Sequence, residues 1–511
     1  MTSTEDLTNK PDALDEQPVE DRVNNRSHRP SSDAFKEFMA TNWATDDAEL
    51  PDQDPAAAFA LTRRVQLSAL FPDQTLVIPA GNPKVRSNDT DYRFRPHSAF
   101  AHMTGLGEDH EPDAVLVLEP VDPGSGDGGS NHQATLFFRP MAGRDSEEFY
   151  ADARSGEFWI GPRPTLGILA ARTGIRTEHL DQLAPALEKS AAQTSVAYLG
   201  QLDTLVDSVL SNQERAQDSA QLIEALSELR MIKDDYEIDE MRKSVAATMA
   251  GFDDIIAALP RAKAHPRGER VVEGAFFARA RLEGNDLGYD TIAAAGNNAT
   301  ILHWIRNTGE VKDGDLLLVD AGIEADSLYT ADVTRTIPVS GKFTEVQRKI
   351  YHAVLDANDA AFEIVQPGIK FRDIHNRALE VLAHRLEEWG LLPVPATEAL
   401  KDDGQQHRRW MPHGTCHHLG LDVHDCAQAR REMYLDGTLA PGMIFTIEPG
   451  LYFKKEDLAV PEEYRGIGVR IEDNILVTEN GAENLTAAMA RTPEQIEAWM
   501  AQIAERTGQG Q

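Results

Sequence analysis

The chain has 511 residues, of which 84 are acidic and 50 basic, for a formal charge of −34. Such a chain repels phosphate backbones and anionic lipid surfaces, which excludes nucleic acid as an expected partner, while a hydrophobic fraction of 41% is enough for a sizeable core. Two cysteines, Cys416 and Cys426, exclude a disulfide framework and fit a reducing compartment.

Length suggests two to four domains at about 150 residues each. Residues 1–30 are acidic and nearly free of large apolar side chains, so a disordered tail is expected there. The start has no basic stretch followed by an apolar one, and no run approaches the roughly 18 apolar residues of a membrane span. A cytoplasmic protein with no membrane partner is expected. Next, DQTLVIPAG (73–81), DAVLVLEP (113–120) and TLFFRP (135–140) read as strands, the last two joined as an antiparallel pair by a Gly/Ser/Asp loop. TEHLDQLAPALEKSAA (177–192) reads as a helix capped by Thr177. These elements predict a smaller α/β domain over 31–228. Residues 214–259 are almost continuously helical in pattern, and the boundary is placed inside them, near 229. Farther on, GVRIEDNILVT (468–478) alternates as a half-buried strand does, and Thr492–Pro493 opens a closing helix.

Two pairs of strands in the second domain, 229–511, echo each other. LLLVDAG (316–322) and IFTIEPG (444–450) are apolar runs that end in an acid and a glycine. ADVTRT (331–336) and VRIEDN (469–474) both embed an acid. The four acids are Asp320, Asp332, Glu448 and Glu472. A carboxylate among buried residues is costly unless it is paired or binds a metal. A helix cap or an arginine partner could explain any one of them; four together, with a histidine-rich stretch between, need a common cause. Four carboxylates balance two divalent cations. One imidazole from HGTCHHLGLDVHD (413–425) would complete a five-ligand cage, and oxygen-rich, thiolate-free sets favour Mn²⁺, Co²⁺ or Zn²⁺. Two metals lower the pKa of a bridging water and stabilise a tetrahedral oxyanion, so hydrolysis of an amide or ester is expected.

VDAG, DVTRT, HGTCHHLGLDVHD, APGMIFTIEPGLY and YRGIGVRIEDNILVT, in this order over 229–500, resemble the pita-bread metallopeptidases of family M24B, above all the aminopeptidase P (Xaa-Pro aminopeptidase) group. YRFRPHSAFAHMTGL (92–106) and VLVLEP (115–120) are similar to the N-terminal domain of that group. The resemblance implies an α/β (α+β) protein with a C-terminal pita-bread (creatinase/aminopeptidase-like) catalytic domain. It implies metal ligands Asp320, Asp332, His417, Glu448 and Glu472. Asp332 and Glu472 would bridge two ions, Mn²⁺ first among the candidates, with Asp320 on one side and His417 and Glu448 on the other. By the same resemblance Glu448 is the general base, His424 faces the scissile carbonyl, His413 lines the proline pocket and His303 contacts substrate in the wall. Arg470 would pair with a ligand carboxylate or contact the proline side, and Tyr452 would line the pocket.

The implied substrate is a peptide with proline second, and the implied assembly is a homodimer or homotetramer. His418 stands where the family commonly has an apolar or aromatic residue, and Ala101 where it often has Trp. The Asp320–Asp332 interval is one residue longer than the family's pattern. Cys416 and Cys426 read as small buried fillers. Two alternatives stand beside the aminopeptidase. An Xaa-Pro dipeptidase (prolidase) would share all five ligands. A metal-free binding module, like a metal-free creatinase-type hydrolase, predicts loss of ligand residues, and none is lost.

Overall fold

The computed structural model describes residues 30, 32–44, 49–88, 90–108 and 111–508. Residues 1–29 of the expected tail lie outside the described residues. The first part of the chain builds one six-stranded mixed sheet. Its strands are β1 (Gln74–Pro79), β2 (Val115–Pro120), β3 (His132–Phe138), β4 (Arg176–His179), β5 (Ser195–Tyr198) and β6 (Ala216–Asp218), in the spatial order β4-β3-β2-β1-β5-β6. β2 pairs antiparallel with β3, as the loop that joins them predicts, and also with β1. Successive side chains of a strand point to opposite faces. Leu76 and Ile78 of β1 accordingly join one apolar cluster, with Phe100 and Met103 of α1 (Ser98–Thr104) and Leu222 and Leu226 of α2 (Ala220–Leu229). Val77 joins the other cluster, with Leu183, Leu187 and Val206.

Two sequence readings fail here. Thr177 caps no helix: it lies in β4, and its hydroxyl donates to Leu166 O at 2.9 Å. The helix starts only at Leu183, because residues 176–179 pair in parallel with β3. Nor is 214–259 continuously helical. Residues 216–218 pair with β5, α2 ends at Leu229, and α3 (Asp235–Lys263) restarts behind a capping box formed by Asp234 and Glu237. The break between the helices buries Arg230 and Lys233 against Asp425.

α3 packs on α4 (Gly268–Glu283), and several small antiparallel sheets share their apolar cluster. One runs β7-β8-β9 (Ile292–Ala295, Leu316–Ala321, Val333–Pro338). After α5 (Glu345–Glu363) and α6 (Phe371–Glu388) comes β10 (Ile444–Ile447). β10 pairs with β13 (Asp473–Thr478), which pairs with β14 (Gly481–Asn484); β11 (Gly450–Phe453) pairs with β12 (Ile467–Arg470). The echoed runs therefore take matching places, β8 beside β9 and β10 beside β13. α7 (Pro493–Arg506) closes the chain behind a Thr492–Gln495 capping box, with Pro493 at its first turn. The reading of 468–478 as one half-buried strand is corrected twice. It breaks at 471–472, and both strands are buried on both faces because α5 and the neighbouring strands cover them. No helix among the described residues is long and apolar enough to cross a membrane.

Candidate active site and metal centre

β8 delivers Asp320 at the end of a fully buried run, opposite Ile292 of β7 and Thr334 of β9. Asp332 directly precedes β9. Its N–H donates to Asn474 Oδ1 at 3.2 Å, and Asn474 Nδ2 donates back to the Asp332 carbonyl. Beside this pair the Glu472 N–H donates to Thr334 O at 3.1 Å, and the Thr334 hydroxyl donates to Glu472 Oε2 at 2.8 Å. β9 is thus tied crosswise to the β12–β13 corner, which brings Asp332 and Glu472 together. Gly322 lets the intervening hairpin close, since a Cβ there would overlap the Ala331 carbonyl and crowd Tyr289. Glu448 follows β10, and its N–H donates to Thr415 O at 2.8 Å, while Thr446 N–H donates to His417 O at 2.9 Å. The histidine-rich stretch therefore runs alongside β10 and faces the acids.

Among the described residues, Asp332, His417 and Glu472 bring donor atoms within 4.8 Å of one another. His417 Nδ1 donates to His418 O at 3.1 Å, so Nε2 points its lone pair inward, 3.2 Å from Asp332 Oδ2 and 3.7 Å from Glu448 Oε1. Asp320 joins through Tyr289, whose hydroxyl lies 2.6 Å from Asp320 Oδ1 and also contacts Asp332 Oδ1. A phenol has a single proton, so this arrangement needs either a proton on one carboxyl or a shared cation. Charge says the same. Arg470 Nη2 pairs with Asp320 Oδ2 at 2.5 Å, which leaves buried Asp332 and Glu472 and half-buried Glu448 without a guanidinium of their own. Burial, then the Asp320 charge, pushes Asp332 well above the usual carboxylate range. Burial, then Asp332, does so for Glu472; burial and Glu472 push Glu448 up to about 8. Four carboxylates and one bare imidazole nitrogen fit divalent cations that favour oxygen.

All ten expected site residues gather here. A cavity of about 540 Å³ is lined by the four acids Asp320, Asp332, Glu448 and Glu472 and by His417, together with His303, His413, His424 and Arg470. Tyr452 sits just behind: Arg470 Nη1 donates to its hydroxyl at 3.1 Å, and the hydroxyl meets His413 Nε2 at 2.7 Å. Burial, then Arg470, lowers His413 to about 3; burial, then His417, lowers His424, so both rings are neutral near pH 7. His418 points away from the cavity. It is buried and stacked on Phe371 at 4.6 Å, as an aromatic filler. Cys426 is buried as expected, whereas Cys416 is a correction: it is only half-buried and lines the cavity, its thiol pushed up to about 12 by burial. Ala101 is buried among Met241, Leu328 and Leu419. Sequence reasoning missed Tyr289, Thr334 and Asn474. The last two stand two residues after Asp332 and Glu472, a spacing that puts them on the same strand face.

Comparison with known proteins shows the family. The sequence model described as metallopeptidase family M24 matches residues 239–479, and that of the aminopeptidase P N-terminal domain matches residues 60–198. Xaa-Pro aminopeptidase 1 of Streptomyces coelicolor is 47% identical over 490 residues, covering 96% of each chain. The Xaa-Pro aminopeptidase of Escherichia coli is 33% identical over 86% of this chain and 97% of its own. Among solved structures, a variant of Escherichia coli aminopeptidase P in complex with substrate superposes with a TM-score of 0.75 at 29% identity, covering 89% of this chain and 100% of the other. The same enzyme, zinc-substituted and in complex with product, gives 0.75 at 30% identity over 88% and 99%. The mixed α/β architecture is therefore the pita-bread fold behind an aminopeptidase P N-terminal domain, and the chain belongs to metallopeptidase family M24, among the Xaa-Pro aminopeptidases.

Proposed function

We propose that the chain is a divalent-metal-dependent aminopeptidase that hydrolyses the bond between the first residue of a peptide and a proline in second place. The observation that carries this reading is the convergence of Asp320, Asp332, His417, Glu448 and Glu472 on one cavity whose buried negative charge a single arginine does not balance. These five residues would hold two cations, Mn²⁺ before Co²⁺ or Zn²⁺, which when bound supply Lewis acidity at the scissile carbonyl. Glu448 accepts a proton from the attacking water. Burial and Glu472 raise its carboxyl above the usual range, and cations bound beside it would favour the ionised form that accepts this proton. His424, neutral and at the cavity mouth, donates an N–H to the carbonyl oxygen as charge develops there. Arg470 holds Tyr452, whose hydroxyl donates to His413 Nε2, because His413 Nδ1 is engaged with Gly414 O at 2.5 Å. This chain fixes one wall of the slot for the proline ring. Ile292, Leu302, Ile305 and Val423 add an apolar face with His303 among them. A bond before proline carries no N–H, so an apolar slot without an acceptor suits it.

The relatives' activity favours the aminopeptidase over the dipeptidase, and retention of every proposed ligand side chain speaks against a metal-free binding module. The reading includes a division into two units near residue 229, a cytoplasmic location and a homodimer or homotetramer. Assay of a tripeptide Xaa-Pro-Yaa tests its centre. Chelator-stripped protein should leave the peptide intact, and Mn²⁺ should restore release of the first residue. Cleavage of Xaa-Pro dipeptides alone would replace this reading by the prolidase, and no cleavage with any divalent ion would sink it.

A further inference from the structure

The His424 ring makes no hydrogen bond among the described residues; it meets the His417 ring edge-on, 4.5 Å between centroids. Its position must come from the backbone on either side, and both sides are tied. Ahead of it, Leu421 O accepts from Arg95 Nη2 at 2.5 Å, and Asp422 Oδ1 accepts from Ser98 Oγ at 2.5 Å. Arg95 is held in turn by Glu324, 2.6 Å from its Nε. Behind it, Asp425 Oδ2 accepts from Lys233 Nζ at 2.9 Å. Arg230 spans His424, with Nη2 3.1 Å from Asp422 Oδ2 and Nε 3.0 Å from Asp425 Oδ1. Gly420 allows this packing, since a Cβ there would overlap Asp425 Oδ2 and press on Lys233. Arg95 and Ser98 come from the first part of the chain, and they reach across to a loop of the second.

We infer that Arg95, Ser98 and Asp422 are positioning residues: the N-terminal part clamps the 419–425 loop so that His424 is held at the substrate carbonyl. This rests on the reading of His424 as the group facing that carbonyl. The clamp is built for rigidity. Ser98 is buried, as are Arg230, Lys233 and Asp425 on the other side of the loop, so their bonds are not traded freely with water, while Arg95 and Asp422 are half-buried. A catalytic group displaced by about 1 Å can lose on the order of a hundredfold in rate. The N-terminal part thereby contributes to chemistry without touching substrate.

The test measures kcat, KM and the urea midpoint with saturating Mn²⁺ on an Xaa-Pro-Yaa tripeptide. The variants are His424→Ala and, each alone and combined with it, Ser98→Ala, Asp422→Ala and Asp422→Asn. Asp422→Ala should lower kcat by about tenfold to a hundredfold with KM changed less than about twofold. Asp422→Asn, which keeps an acceptor for Ser98, should recover most of that loss, and Ser98→Ala should fall between. On the His424→Ala background the same changes should cost less than about twofold more, because residues that act through one group are not additive. Losses that multiply on that background, or clamp variants with unaltered kcat, overturn the inference and leave the reading of His424 standing. Wild-type kcat in His424→Ala itself overturns that reading and the clamp with it.

Discussion

Tyr289 is the residue on which the site's charge balance turns. Its hydroxyl stands between Asp320 and Asp332, and burial followed by the charges of Asp320 and Asp332 raises it well above an ordinary phenol, so it stays a donor. Donors of this kind orient ligand carboxylates, and their loss typically weakens metal binding about ten- to a hundredfold. Tyr289→Phe removes one oxygen and keeps the ring. It should raise the Mn²⁺ concentration for half-maximal activity within that range while the fold persists; an unchanged requirement would show that the hydroxyl does not set the ligands. Asp320, Asp332, Glu448 and Glu472 were legible in the sequence because an acid inside an apolar run is conspicuous. Tyr289 was not, since nothing local marks it: its contacts are made 31 and 43 residues away in the chain. Cys416 misled for a related reason, because a small residue next to a proposed ligand can face either the core or the cavity.

At the scale of elements, one buried arginine fastens the strands that carry the proposed ligands. Arg335 of β9 pairs with Asp473 at 2.7 Å, and its Nη1 donates to Glu472 O at 2.6 Å and Thr334 O at 3.0 Å. Its Nε donates to Ala490 O at 2.9 Å, so the same group also holds the stretch that leads into α7. Arg491 reaches the other oxygen of Asp473 at 2.8 Å. Removal of one partner from a buried ion pair costs about 3–5 kcal/mol, since the other charge is left uncompensated. Arg335→Met should lower the urea midpoint accordingly and depress activity through Glu472, even though the methionine fills much of the space. A midpoint equal to wild type would mean that Arg491 alone compensates Asp473. Elements with local signals were legible: the Thr492–Gln495 cap and Pro493 mark α7 from sequence alone. Elements decided by pairing were not. Thr177 looks like a cap, yet β3 recruits its segment as a strand, and the corner at 471–472 exists because Glu472 bonds across to Thr334.

Across the whole molecule, the formal charge of −34 hides a concentration of buried cations where the two parts of the chain meet. Arg63, Arg230 and Lys233 are buried there, and Arg230 and Lys233 both bear on Asp425. Composition could not show this, because it counts charges without placing them. Burial alone would raise the Asp425 carboxyl; Lys233 and then Arg230 outweigh it and hold the group well below the usual range. A carboxyl depressed on folding contributes stability that is complete above its unfolded value, about 3.9, and that fades as pH falls from there toward the folded value. Near pH 7 the difference in urea stability between wild type and Asp425→Asn should be full, about 3 kcal/mol, because Lys233 and Arg230 then lack a buried counter-charge. Below about pH 4 the difference should shrink by up to about 1.4 kcal/mol per unit, because only the wild type takes up this proton on unfolding. The carboxyls of Asp332, Glu472 and Glu448, raised by burial, work with the opposite sign but are common to both proteins and drop out of the comparison. A difference that stays constant from pH 7 to pH 3 would mean that Asp425 does not hold its charge against Lys233 and Arg230 in the folded protein.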